Sequence, residues 1–161
     1  MTGKIAGACL LMLSGALICR SWISEKRRDI RLTDAFAAAL EQMEGEIRWQ
    51  NLPMPRILQG MQKNVLCGEF FQSVCGEMRQ GADLYDAWQK ACGTVPVKAA
   101  EDPLRRVELR GDAQQIMGSL HLAADEAHRL AAAMTRRQRQ NERLCMALGG
   151  CLTAMLVIVL I

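Results

Sequence analysis

Two histidines and an aspartate lie on one face of a predicted helix in the last third of the chain. His121, Asp125 and His128 are spaced i, i+4 and i+7, and imidazole and carboxylate groups at that spacing can hold a metal ion or exchange a proton. The sequence supplies no fourth ligand beside them. We therefore interpret the three residues as a solvated helix face opposite the apolar positions Leu120 and Ala127, with a metal or proton-transfer site as the alternative.

An acidic cluster precedes Pro53. It consists of Glu41, Glu44 and Glu46. A catalytic carboxylate pair is one interpretation, but exposed acidic residues on a helix more often face basic partners. We expect this cluster to serve as a partner-binding face.

Motifs that perform chemistry are missing from the sequence. It contains no Walker-type phosphate loop, no Gly-x-Ser-x-Gly turn and no metalloprotease His-Glu motif, which are the short patterns with a known mechanism. The seven cysteines form no Cys-x-x-Cys pair, so we expect reduced thiols that act as small apolar side chains. The sequence therefore predicts a protein that is not an enzyme, with no catalytic, metal or cofactor-binding residues.

An uncharged apolar run lies near each end of the chain. Residues 144–161 are eighteen in number and would extend about 27 Å as a helix, against about 30 Å for a bilayer core. A buried core helix is the alternative. Residues 5–19 form a shorter run, for which a signal peptide competes, but no Ala-x-Ala site follows it. We predict membrane anchors at 1–23, where Trp22 and Ile23 lengthen the first span, and at 144–161, with a domain at 24–143 between them.

Basic residues border both predicted spans on the side of the central domain: Arg20, Lys26, Arg27, Arg28, Arg31, Arg136, Arg137, Arg139 and Arg143. The positive-inside rule places such a domain in the cytoplasm of a two-pass membrane protein. These residues are also suited to contact with anionic lipid headgroups. An aromatic content of 4% leaves little material for base stacking, so we expect no nucleic-acid partner.

Helical periodicity without strand-like alternation predicts an all-α domain, a bundle of about six helices between the two spans. The first helix should run from Glu25 to Trp49 as a continuation of the first span. Its apolar positions are Phe36, Leu40, Met43 and Ile47. The last helix repeats the spacing with Ile116, Leu120, Ala123, Ala127, Leu130 and Met134. We expect these two helices to pair in antiparallel orientation.

Shorter helices should occupy the stretch between these two. Proline suits the first turn of a helix, so a second helix should begin at Pro53, with Val65 among its inward residues. A third should cover residues 69–80 and end at Gly81, and Asp83 should cap a fourth. We expect a loop at 93–102, followed by a fifth helix that Pro103 opens and that runs to residue 109.

With these residues in place, the chain resembles the stage III sporulation protein AB family of endospore-forming bacteria over nearly its whole length. The family's acidic segment and proline step correspond to Met43-Glu44-Gly45-Glu46-Ile47 and Pro53-Met54. Further matches are Gly81, Ala87, Trp88, Gln115 and Leu148-Gly149. Trp49 departs from the pattern because a tyrosine is more typical there, and the region before Gln115 is shorter than in the family.

The resemblance implies a function. Family members are thought to lie in the mother-cell membrane around the forespore, within a secretion-like channel complex. Their cytoplasmic domain is similar to the platform proteins of type II secretion and type IV pilus systems, and would link a cytosolic ATPase to the membrane channel.

The partners implied are that ATPase, other stage III sporulation channel proteins, membrane lipids and a second copy of the chain. The residues expected to bind a partner are Glu41, Glu44, Glu46, Trp49, Pro53 and Gln115. The alternative function is a membrane-anchored helical sensor or regulatory adaptor unrelated to secretion.

Overall fold

The structure is a computed structural model. It describes the backbone of residues 2–50 and 52–160, and the side chains of residues 21, 23–50, 52–142 and 144. Over these residues the chain forms helices and no strands, which confirms the all-α prediction. In chain order the helices are α1 (Thr2–Gln50), α2 (Met54–Met61), α3 (Gly68–Arg79), α4 (Leu84–Cys92), α5 (Lys98–Arg105) and α6 (Ala113–Leu160).

The chain divides into two compact units. One comprises Met1–Arg28 and Met134–Ile161, and the other comprises Asp29–Ala133. The predicted membrane spans, 5–19 and 144–161, lie almost entirely outside the residues with described side chains. Among the residues that are described, no helical segment has the length and apolar character needed to cross a membrane. The two anchors therefore stay predictions.

The core of the Asp29–Ala133 unit forms where α1 and α6 bury their predicted apolar positions. Phe36, Leu40 and Met43 of α1 are buried in one cluster with Leu120 and Ala123 of α6. Contacts from Glu44 to His121 and from Asp34 to His128 join the two helices in antiparallel order. Residues spaced by three and four share a face of a helix, and burial of that face on both helices confirms the predicted pairing.

Aromatic side chains of α3 and α4 fill the centre of this core. The Phe70 ring contacts Phe36, Phe71 and Trp88 edge to face, at centroid distances of 5.4, 5.2 and 4.9 Å. Such edge-to-face pairs add about 0.5–1.5 kcal/mol to the gain from burial. The buried indole Nε1–H of Trp88 donates to the backbone carbonyl of Leu104 at 2.8 Å. This bond connects α4 to α5.

The end of α3 follows the prediction. Gly81 has φ of +96°, its N–H donates to the Met78 carbonyl, and the N–H of Ala82 donates to the Glu77 carbonyl. These two bonds satisfy the last carbonyls of the helix in a Schellman motif. A left-handed residue is required there, and glycine adopts that conformation without a steric cost.

Two details of the prediction are wrong. Val65 is 97% exposed rather than inward, because α2 ends at Met61 and the following turn is held by Asn64, whose Oδ1 accepts from the N–H groups of Leu66 and Cys67. The fifth helix spans Lys98–Arg105, so it begins inside the predicted loop 93–102 and ends before residue 109, and it contains Pro103 rather than starting there. Proline costs an interior helix one hydrogen bond, and α5 buries Ala100, Pro103 and Leu104 nonetheless.

A candidate partner-binding groove between α1 and α6

The three glutamates of the acidic cluster have three different partners. Glu44 is only 8% exposed, and its carboxylate contacts Arg48 through Oε1 and the His121 ring through Oε2. Glu41 lies 3.2 Å from Nε2 of His128. Glu46 accepts a hydrogen bond from Gln42 at 2.8 Å. Glu44 is thus engaged within the domain, and the structure does not present the three carboxylates as one open acidic face.

The histidines expected on a solvated face of α6 contact α1. His121 Nδ1 lies 3.1 Å from Glu44 Oε2, and His128 Nδ1 lies 3.1 Å from Asp34 Oδ1. Both rings keep substantial exposure, so the solvated face was predicted correctly and the contacts to α1 were not. Spacing along one helix shows which residues share a face, but it does not show which residues a second helix brings opposite them.

Asp125, the third member of that face, bonds within its own helix. Its carboxylate accepts a hydrogen bond from the Arg129 guanidinium at 2.7 Å, and this bond is the main reason that the pKa of Asp125 is lowered. Among the residues that the structure describes, no group of three or more His, Cys, Asp or Glu side chains could hold a metal ion. The face therefore acts in contacts between and within helices.

The other predicted partner-binding residues are at the surface. Trp49 is 82% exposed at the end of α1. Pro53 is exposed and directly precedes α2, whose first turn it supports by accepting from the N–H of Arg56. Gln115 is exposed in the first turn of α6, where its N–H donates to the Asp112 side chain at 2.8 Å. That bond caps the helix, so Asp112 positions Gln115.

A groove of about 340 Å³ lies between the end of α1 and the start of α6. We call it the α1–α6 groove, and its lining residues are Glu44, Arg48, Gln114, Met117, Gly118 and His121. The sequence analysis identified Glu44 as a partner-binding residue and named His121 only as part of a solvated face, and it missed the four others. The signal that could have found them is Gly118, an interior glycine in a helix that is otherwise rich in alanine and leucine, because such a glycine often has a packing or functional reason.

The polar groups of the groove are held in a defined orientation. Because Nδ1 of His121 faces the Glu44 carboxylate, that nitrogen carries the proton and donates it. In the neutral ring Nε2 is then left as an acceptor. Arg48 uses Nη2 for Glu44. The groove therefore offers both donors and acceptors to whatever enters it.

The described residues of the predicted basic borders are exposed or ion-paired. Arg136, Arg137 and Arg139 are exposed on α6, and Arg27 donates to Glu142 at 3.0 Å. That bond, together with a second from Gln138, lowers the pKa of Glu142. The side chains of Arg20 and Arg143 lie outside the described residues. Exposed guanidinium groups are suited to bind phosphate.

The three described thiols of the domain lie in its interior. Cys67, Cys75 and Cys92 are buried and free. Burial raises the pKa of Cys67 to about 11 and the pKa of Cys92 to about 12, so neither forms the nucleophilic thiolate near neutral pH. The three act as small apolar side chains.

Comparison with known proteins identifies the family to which the chain belongs. No curated protein and no solved structure matches the chain. A sequence model of the stage III sporulation protein AB family matches residues 4–161. This match covers nearly the whole length of the chain and leads to one assignment. The chain belongs to the stage III sporulation protein AB family.

Proposed function

We propose that this sporulation protein is a non-catalytic platform subunit that links a cytosolic ATPase to a membrane channel between mother cell and forespore. The observation that carries the proposal is Trp49, a large apolar side chain that is 82% exposed at the end of α1. Exposed tryptophan is uncommon on free surfaces and is enriched at the centres of interfaces. The polar groups that line the α1–α6 groove orient one another, and no nucleophile is among the residues that line it. Such a groove suits recognition of a partner better than catalysis.

The charges and the apolar runs support a proposed location in a membrane. A two-pass protein in the mother-cell membrane, with the helical domain in the cytoplasm, fits the basic residues that border residues 5–19 and 144–161. Exposed Arg136, Arg137 and Arg139 support contact with anionic headgroups at that surface.

The test is co-purification. The full chain is extracted in detergent from sporulating cells that express the channel proteins and the ATPase, and the captured subunits are identified. We expect wild type to capture the ATPase, and Trp49→Ala to lower that capture by about tenfold, because an interface tryptophan commonly contributes more than 1.4 kcal/mol.

Val65→Ala is the matched control. Val65 is also an exposed apolar residue, on the turn between α2 and α3, and its loss should leave ATPase capture at the wild-type level. Failure of wild type to capture the ATPase or any channel subunit would reject the platform function. A membrane-anchored regulatory adaptor would then be the function to pursue.

A further inference from the structure

Both histidines of the chain lie against acidic residues of α1. The sequence contains two histidines, His121 and His128, and both belong to α6. The His121 ring contacts Glu44, and the His128 ring lies between Asp34 and Glu41. Histidine is the side chain whose charge ordinarily changes between about pH 5 and 8. The two histidines are thus placed where a change of pH acts on the contact between α1 and α6.

The His128 ring has a carboxylate at each of its nitrogens. Asp34 Oδ1 lies 3.1 Å from Nδ1, and Glu41 Oε1 lies 3.2 Å from Nε2. Asp34 and Glu41 are seven residues apart, which is about two helical turns, so both lie on the same face of α1.

This arrangement distinguishes the two forms of the His128 ring. A protonated imidazole donates from both nitrogens, whereas a neutral imidazole donates from one and presents a lone pair at the other. The protonated ring therefore bonds to both Asp34 and Glu41 and attracts them by its charge. The neutral ring bonds to one carboxylate and points a lone pair at the other. Loss of the proton thus weakens the contact between the two helices.

His121 contacts α1 in a different way. Among the described residues, a carboxylate faces only its Nδ1, and that carboxylate, Glu44, is also bonded to Arg48. A neutral ring with its proton on Nδ1 still donates to Glu44. This contact therefore tolerates the loss of one proton, and we expect the larger response to pH at His128.

The charged groups of α6 beside His128 nearly cancel one another. Asp125 lies one turn before His128, and its carboxylate accepts a hydrogen bond from Arg129 at 2.7 Å. That bond is the main reason that the pKa of Asp125 is lowered, and the charges of His121 and His128 lower it further. The Asp125–Arg129 pair leaves the attraction of Asp34 and Glu41 for His128 in place. The His128 side chain is 40% exposed, so protons reach it without any opening of the domain.

We infer that Asp34, Glu41 and His128 form a pH-sensitive clasp that holds α1 to α6 more firmly when His128 is protonated. Its contribution to stability is present at the acidic end of the histidine range and is lost as the pH rises through that range. The inference concerns the Asp29–Ala133 unit alone and does not depend on the proposed function. It makes the pairing of α1 with α6 responsive to the pH of the surrounding solution.

The first experiment compares stability at two pH values. The full chain in a nonionic detergent is unfolded with urea at about pH 6 and about pH 8.5, at one ionic strength because salt screens exposed charges. We expect the unfolding equilibrium constant of wild type to be about fivefold larger at the higher pH, since two partly exposed charge pairs are lost. His128→Gln keeps a polar side chain that does not titrate and should lose most of this difference.

His121→Asn is the matched control. It removes the other histidine and keeps a donor toward Glu44, so it should retain most of the wild-type difference between the two pH values. Retention of the full difference by His128→Gln, or its loss in His121→Asn alone, would overturn the inference. The same holds if wild type itself shows no difference.

The second experiment leaves His128 in place and removes a carboxylate. Glu41→Gln changes an exposed side chain and should by itself shrink the pH difference, a result that can be read even if His128→Gln does not fold. Glu46→Gln, the same substitution on α1 at a residue that contacts Gln42, should leave the difference unchanged. If Glu41→Gln keeps the wild-type difference, the clasp is refuted.

A double-mutant cycle of Glu41→Gln with His128→Gln separates a titrating contact from one that only packs. Its coupling should be measurable at the lower pH and should largely disappear at the higher pH, because the charge of the ring is the source of the coupling. A contact that depends on shape alone would give the same coupling at both pH values. Equal coupling would therefore overturn the inference.

Discussion

Replacing Glu44 with glutamine tests whether the acidic cluster stabilises the domain or only offers charge to a partner. The Glu44 side chain is buried and bonded to Arg48 and His121. Glu44→Gln keeps its shape and removes its charge. Hydrogen bonds to a charged group contribute about 1.5–3 kcal/mol against about 0.5–1.5 kcal/mol for neutral ones. The charge is therefore worth about 1 kcal/mol per bond before solvent screening.

Solvent lowers that value, because Arg48 and His121 are more than half exposed and can be rehydrated. We expect Glu44→Gln to cost about 1 kcal/mol in total, which for a chain of this length lowers the Tm by about 2–4 °C. Glu46→Gln is the matched control. Within the described part of the chain, the polar contact of Glu46 is to the neutral Gln42 in the same helix, and its replacement should change stability by less than about 0.5 kcal/mol.

Thermal unfolding followed by far-ultraviolet circular dichroism, on the full chain in detergent, measures both variants. A double-mutant cycle of Glu44→Gln with His121→Asn should give a coupling of about 0.5–1 kcal/mol. Equal melting of Glu44→Gln and wild type, or a larger loss for Glu46→Gln, would refute the assignment of Glu44 to the α1–α6 contact.

Three further perturbations test the packing of the domain. Trp88→Phe removes the indole donor to the Leu104 carbonyl and leaves a cavity, so the free energy of unfolding should fall by about 2–4 kcal/mol in a chemical denaturation curve. Gly81→Ala puts a Cβ on a residue with φ of +96° and should cost about 1–2 kcal/mol in the same assay. Cys92, whose pKa burial raises to about 12, should resist iodoacetamide at about pH 8 in the folded protein and react once it is unfolded.

Controls for these variants come from the same chain. Trp49→Phe changes an exposed tryptophan and should alter stability by less than about 0.5 kcal/mol. Gly76→Ala changes a helical glycine that has open space around it and should stabilise by about 0.5–1 kcal/mol. Rapid alkylation of Cys92 in the folded protein, identified by peptide mass spectrometry, would contradict its burial.

The sequence predicts the buried face of a helix where the spacing of apolar residues within that helix is enough to identify it. The three- and four-residue spacing on α1 and α6 identified the buried positions, because that spacing matches the period of the helix. Gly81 was predictable as a helix end for a similar local reason. Both signals depend on residues that are close in sequence.

Features that depend on distant residues were not predictable. α5 forms around Pro103 because Ala100 and Leu104 enter the core, and this tertiary gain outweighs the local signal of a proline. The contacts of His121 and His128 require α1 to lie opposite α6. The α1–α6 groove depends on the same pairing, so of its lining residues the sequence analysis named only Glu44, as a partner-binding residue, and His121, as part of a solvated face.

The pairing of α1 with α6 affects how the protein is made. Glu44 and His121 are separated by 77 residues, which a ribosome adds in roughly 4–15 s at about 5–20 residues per second. During that interval Phe36, Leu40 and Met43 lack the cover that α6 gives them in the finished core. Chains that end prematurely before α6 would keep this apolar face open, and such a face favours aggregation and degradation.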